Sequence, residues 1–188
     1  SYKNTLVFDS GSQHKAIALL VEDQNSHTIW ESLGFKKAQI LKVNDIVDIV
    51  GSTALDIAAA FDQIAAINAL VDAGADLNTQ SENGPPMCIA AETGHTAAVM
   101  ALIHAGADMN LAKLRNGYTP LHLAVCQGSV ACIAVLIQAG ADIFKVNDHE
   151  MTPLDVAVEG LVLAVEGEYE EIAKLLRAAA NFQAKSPV

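Results

Sequence analysis

TPLHLAVCQGSVACIAVLIQAGAD, residues 119–142, decides how this chain folds. Pro120 stands where a helix starts, because its missing N–H would have no partner in the first turn anyway. About two turns later Gln127-Gly128-Ser129 interrupts the pattern, and Gly there breaks the helix. A second helix follows, in which Ile133, Leu136 and Ile137 share one face at helical spacing. Gly140 ends it at a position suited to positive φ. From residue 116 to 141 no Asp, Glu, Lys or Arg occurs, a run of 26 residues that by length alone could cross a membrane. The Thr-Pro start and the central Gly point instead to a buried pair of short helices.

The markers of this stretch recur. GADLN at 74–78, GADMN at 106–110 and GADIF at 140–144 are spaced by 32 and 34 residues, with a faded copy, AANFQ, at 179–183. TALD at 53–56, PPMC at 85–88, TPLH at 119–122 and TPLD at 152–155 run in step, spaced by 32, 34 and 33. A fixed period of this size marks stacked units. Neither helix of a unit is long enough to stand alone, so neighbouring units must bury each other's apolar faces. Aromatics make up only 5% of the chain while alanine is abundant, and small side chains suit close helix packing.

These units resemble the ankyrin repeat. The resemblance covers residues 51 to about 183, as units 51–79, 80–112, 113–145 and 146–183. It implies an all-α solenoid of helix-turn-helix units with finger loops, whose first helices line a concave face. It also implies that Thr119 and His122 brace their turn by hydrogen bonding, a role we prefer to catalysis. In the second unit Pro85 and Cys88 replace that pair, so the brace is expected to be missing and this turn the weakest. The fourth unit carries six extra residues, 161–166, expected to lengthen its first helix or loop and to seal the last repeat, or else to enlarge the binding surface. Ahead of the repeats, His14 to Val21 reads as helical and Thr28 to Leu33 as a second short helix. Residues 1–50 then form a helical cap or degenerate repeat, the alternative being a segment trimmed from a larger domain.

The net charge is −11 over 188 residues. Residues 1–50 hold five Lys and six acids, and residues 51–188 hold six Lys or Arg and sixteen acids, so the repeats carry −10 of it. Such a surface repels phosphate backbones and anionic lipid, which excludes nucleic acid and membrane as partners and favours a neutral or basic protein. Solubility alone is the competing explanation of the charge. Cys88, Cys126 and Cys132 show no disulfide or zinc spacing and read as reduced thiols, consistent with a cytoplasmic, or alternatively nuclear, compartment, or the host cytosol for a secreted effector. No secretory signal is visible at the start, and the missing initiator Met fits a processed chain or a piece of a longer one.

Catalytic patterns are few. Asp9 in FDSGS, 8–12, matches an aspartic-protease motif, but that chemistry needs two such carboxylates and only one copy is present. His122 and Cys126 lie four apart on one helix, yet no third group orients the imidazole and no glycine-rich turn supplies an oxyanion hole. His14, His27, His95, His104 and His149 lack ligand spacing, so no metal or other cofactor is inferred.

The expected function is therefore a monomeric protein-interaction module, not an enzyme; the alternative is a regulatory or targeting domain of a larger enzyme or secreted effector. The resemblance maps its variable contact positions onto Ser52, Ala60 and Phe61; Gln80, Ser81, Glu82, Glu92 and Thr93; Leu114, Arg115, Tyr118, Cys126 and Gln127; and Asp148, His149, Met151 and Glu159. Phe61 and Tyr118 are the preferred anchors, since aromatics and Arg dominate interface energetics. Asn78 and Asn110 each follow a Leu by eight residues and an Asp by two (Leu70 and Asp76; Leu102 and Asp108), which resembles the pattern of an asparaginyl hydroxylase in animal ankyrin proteins. The competing reading is an Asn that bonds its local turn.

Overall fold

The computed structural model describes residues 51–163 and 168–183, together with the backbone of residues 6–7 and 18–19. Each TPLH-like marker nucleates a short helix: α1 (Ala54–Ala60), α3 (Pro86–Glu92), α5 (Pro120–Cys126) and α7 (Pro153–Leu163). Each is followed by a second helix, α2 (Ile64–Asp72), α4 (Thr96–Ala105), α6 (Val130–Gln138) or α8 (Glu168–Gln183), packed against it as a hairpin. First helices contact first helices and second helices contact second helices along the stack, which makes two helical layers with the core between them. The charge-free stretch is the α5–α6 hairpin, and among the described residues no helix is long and apolar enough to cross a membrane.

The starts of the first helices follow from side-chain chemistry. Thr53 and Asp56 form a reciprocal capping box at α1, as Thr119 and His122 do at α5, so donors left over at the helix start are satisfied locally. Pro85 makes no side-chain cap at α3, as expected from its place in the second marker. The expected loss of the brace there is only half right, because the buried Cys88 Sγ lies within donating distance of the Tyr118 carbonyl (3.8 Å) in the next unit, as well as of the Leu111 carbonyl (3.3 Å) in its own. The thiol keeps the contact between units, while Pro85 forfeits the one within the turn.

The ends of the second helices depend on one backbone conformation. Gly106 and Gly140 sit at φ 89° and 94°, and each N–H closes its helix by bonding back to the preceding turn. In the fourth unit Ala179 stands at that position, and α8 runs straight through AANFQ to Gln183. The faded copy of the marker is thus helix and not a turn. A residue with a Cβ does not favour the left-handed conformation, so the chain continues as it began. Glu170, Glu171, Lys174 and Arg177 leave α8 with a polar exposed side, as a terminal unit requires.

Core filling comes from Leu55, Ile67, Leu70, Met87, Leu102, Leu121, Ile133, Leu136, Ile172 and Leu176, all essentially inaccessible to solvent. Alongside these larger residues the first helices bury several small ones: Ala58, Ala59, Ala90, Ala91 and Ala124. That smallness lets seven-residue helices lie close enough to exclude water. The extra residues of the fourth unit extend its first helix to Leu163, eleven residues in place of seven. The remainder of the insert lies outside the described residues. Near this extension the Tyr169 ring covers Gly160, where a Cβ would stand 2.7 Å from it, and the Tyr169 hydroxyl donates to the Cys126 carbonyl (3.1 Å). Tyr169 thereby ties the last hairpin to the third unit.

Ahead of the repeats, β1 (Leu6–Val7) and β2 (Ala18–Leu19) pair antiparallel, Leu6 opposite Leu19 and Val7 opposite Ala18. Ala18 and Leu19 belong to the stretch read as helical from His14 to Val21, and here they are strand. Short apolar runs fit either period, so the pattern alone did not discriminate. The rest of that stretch, the expected helix at 28–33 and the FDSGS motif lie outside the described residues.

Candidate partner-binding surface

The finger loops are built by a repeated pair of side-chain bonds. In each GAD segment the Asp carboxylate accepts the N–H two residues on: Asp76 from Asn78 (2.9 Å), Asp108 from Asn110 (2.8 Å), Asp142 from Phe144 (2.9 Å). The asparagines then reach forward. Asn78 Oδ1 accepts the Asp108 N–H (3.0 Å) and Asn110 Oδ1 accepts the Asp142 N–H (2.8 Å). The local turn is therefore held by the Asp, and Asn78 and Asn110 join one unit to the next. Phe144 occupies the third Asn position and is 56% exposed, and the ladder stops there because its ring carries no oxygen to reach forward.

Further contacts register the fingers. Gln80 Nε2 donates to the Ala112 carbonyl (2.9 Å), and the Asp148 N–H to the Asn116 carbonyl (3.2 Å). The Lys113 stem crosses Gly84, where a Cβ would meet it at 2.6 Å, and its ammonium pairs with Glu92 at 2.6 Å.

His122 is committed to structure. Its Nδ1 accepts the Thr119 N–H (3.2 Å) and lies 2.7 Å from Thr119 Oγ1, so the ring proton sits on Nε2 and is donated to the Met151 carbonyl (2.9 Å) in the fourth unit. Burial pushes its pKa below the ordinary histidine value. A neutral ring with both nitrogens occupied cannot take a proton from Cys126 four residues on. The Cys126 thiol is itself pushed up, first by burial and then by the charge of Glu92 and, less, Glu159, which is opposite to what a nucleophile needs. Burial raises the Cys88 thiol to about 12, leaving it a structural group. Among the described residues no group of three His, Cys, Asp or Glu could hold a metal ion.

The expected contact residues fall into distinct classes. Phe61 is 58% exposed at the end of α1, and Leu114 is 79% exposed on the third finger. Glu82, Glu92, Arg115, Cys126, Gln127, Asp148, His149 and Glu159 are exposed as well. Met151 and Tyr118 are half-buried. The Tyr118 ring lies against His122 with centroids 5.5 Å apart, and its hydroxyl is pushed up by burial and, less, by neighbouring Cys126 and Glu159. Tyr118, Cys126 and Glu159 are thus brought together, while Phe61 stands two units away. Ser52 departs from expectation: it is 4% exposed, enclosed beside the first capping box, and cannot meet a partner. Thr93 turns its hydroxyl back onto the Ile89 carbonyl (2.9 Å).

Two features escaped the sequence reading. Asp62 adopts φ 53° where the second and third units have Gly94 and Gly128, and its carboxylate accepts the Ala98 N–H (3.0 Å) at the start of α4. An Asp in the register of glycines was the available signal. On the opposite layer, Ile64, Asn68, Val71, Met100, Ala101 and His104 line a groove of about 620 Å³ between α2 and α4. Only the packed geometry exposes that groove.

Two family models match the chain: one described as ankyrin repeats in three copies, over residues 87–186, and one described as ankyrin repeat, over residues 50–82. No curated protein matches it.

Proposed function

The chain belongs to the ankyrin-repeat family, and from that premise we propose that it binds a neutral or basic protein partner through its concave face and fingers. Ankyrin repeats are generally protein–protein interaction modules and typically non-catalytic. The observation that carries the charge preference is that Glu82, Asp148, Glu150 and Glu159 are exposed and have no ion-pair partner among the described residues. Apolar groups are also left exposed on the first helices and fingers: Phe61, Leu114 and Val158. Unneutralised acidic groups that share a surface with exposed apolar contacts steer and orient a cationic partner. Glu92 contributes less, because Lys113 already pairs with it. Phe61, Glu82, Arg115, Tyr118, Cys126, His149 and Met151 are the contact residues of this reading. Asn78 and Asn110 remain candidates for hydroxylation only when a finger opens, since both carboxamides are bonded to the following unit.

A panel of fluorescent amphipathic peptides matched in length and apolar content, with acidic, neutral or basic polar faces, tests the reading. The basic peptide should bind best and weaken with salt. Phe61→Ala should cost about 1 to 3 kcal/mol of its affinity, and Glu82→Lys with Glu159→Lys should abolish the preference for positive charge. Equal affinity for all three peptides, or no effect of these substitutions, would refute it.

A further inference from the structure

Asn-Gly pairs occur at 83–84 and 116–117, each in a finger turn and each with its glycine at positive φ, 92° and 68°. The surroundings differ. Asn83 is exposed, and its carboxamide has no hydrogen-bond partner among the described residues. The only bond on the following amide is Gly84 N–H to the Ser81 carbonyl (3.0 Å), which closes the turn. Asn116 is half-buried and held three ways: its Oδ1 accepts the Tyr118 N–H (3.2 Å), its carbonyl accepts the Asp148 N–H (3.2 Å), and Gly117 N–H donates to the Lys113 carbonyl (3.0 Å). The Asp148 carboxylate also crowds Gly117, at the place a Cβ would occupy.

We propose that Asn83 is a site of spontaneous deamidation, with water as the only co-reactant, and that Asn116 is protected from the same reaction by its fold. Base removes the Gly84 amide proton, and the nitrogen attacks Asn83 Cγ. The new C–N bond closes a succinimide, and the C–N bond to the carboxamide nitrogen breaks to release ammonia, which takes its proton from water. Water then adds to either imide carbonyl, giving Asp or isoaspartate at 83. One amide and one water become one carboxylate and ammonium, with no change in oxidation state. Glycine favours the attack because it puts no side chain beside the nitrogen. At Asn83 one turn bond must open and the flexible Lys113 stem that covers the buried Gly84 must swing aside; at Asn116 the nucleophile and the electrophile are both hydrogen-bonded, and the nearby Asp148 charge opposes the anionic nitrogen.

The product matters to the surface. Each event adds a negative charge beside Glu82, and the iso form inserts a backbone methylene that breaks the Ser81–Gly84 pairing of the second finger. This inference stands independently of the partner reading.

The purified chain is aged at mildly alkaline pH, and peptides spanning each Asn-Gly pair are followed by mass spectrometry with isoaspartate detection, natively and in denaturant. In the native protein residue 83 should convert at least about tenfold faster than residue 116, and in denaturant the two should agree within about threefold. Asn83→Gln, which needs a larger and slower ring, should stop the acidic charge shift of the native protein. Equal native rates, faster conversion at 116, or protection of Asn83 to the level of Asn116 would overturn the proposal.

Discussion

Replacing His122 by Ala tests the contact that joins the third and fourth units. The substitution removes the acceptor for the Thr119 N–H and the donor to the Met151 carbonyl, in a site where His122 is fully buried and Thr119 almost so. Two orphaned backbone groups cost about 1 to 3 kcal/mol each, and the emptied imidazole volume adds on the order of 1 kcal/mol, so the loss should be roughly 3 to 7 kcal/mol. Against a total stability of about 5 to 15 kcal/mol that is a large fraction. At about 2 to 4 °C per kcal/mol for a chain of this size, the thermal midpoint should fall by roughly 6 to 28 °C. Urea unfolding followed by circular dichroism measures the loss, and hydrogen exchange locates it, with amides at the start of α7 losing protection before those of α1. Cys88→Ala, the same position one unit earlier, removes a small side chain and one weak S–H donor and should cost only about 1 to 2 kcal/mol. A loss below about 1 kcal/mol for His122→Ala would show that water or a shifted Thr119 replaces the ring, and the account of the brace would fail.

Other outcomes follow from the same geometry. Because burial lowers the folded His122 pKa, the unfolded chain binds its proton more readily; this contribution is intact above the ordinary value of 6.5 and is lost as pH falls from there toward the folded value, by at most about 1.4 kcal/mol per pH unit. Urea midpoints should show that slope in the native chain and its disappearance in His122→Ala; an unchanged slope would place the proton elsewhere. Gly140→Ala places a Cβ in open space at φ 94° and should cost about 1 to 2 kcal/mol, whereas at Gly117 a Cβ would stand 2.8 Å from the Asp148 backbone nitrogen and the loss should be larger. Equal losses in urea titrations would contradict the finger packing. Iodoacetamide at mildly alkaline pH should label Cys126 and spare the buried Cys88 and Cys132, as read by peptide mass spectrometry; labelling of native Cys88 would contradict its enclosure.

Much of the architecture was legible in 188 letters because helix starts, breaks and ends are local events. Thr119-Pro120, Gly128 and Gly140 each act on their own turn, and the recurrence of such markers near every 33 residues implied that the turns stack. The brace at His122 was readable for the same reason, Thr119 being three residues away. Other features were set by atoms far apart in the chain. Cys88 bonds Tyr118, Asn110 bonds Asp142 and Tyr169 bonds Cys126, across 30, 32 and 43 residues. No local propensity encodes such a pair, so the surviving half of the second brace, the forward reach of the asparagines and the anchoring of the last hairpin appeared only when units were packed. The protection of Asn116 but not Asn83 has the same origin: identical residue types in matching turns differ by what a neighbouring unit places against them. The period determined that units stack; contacts between neighbouring units decided which of their side chains remain free to meet a partner.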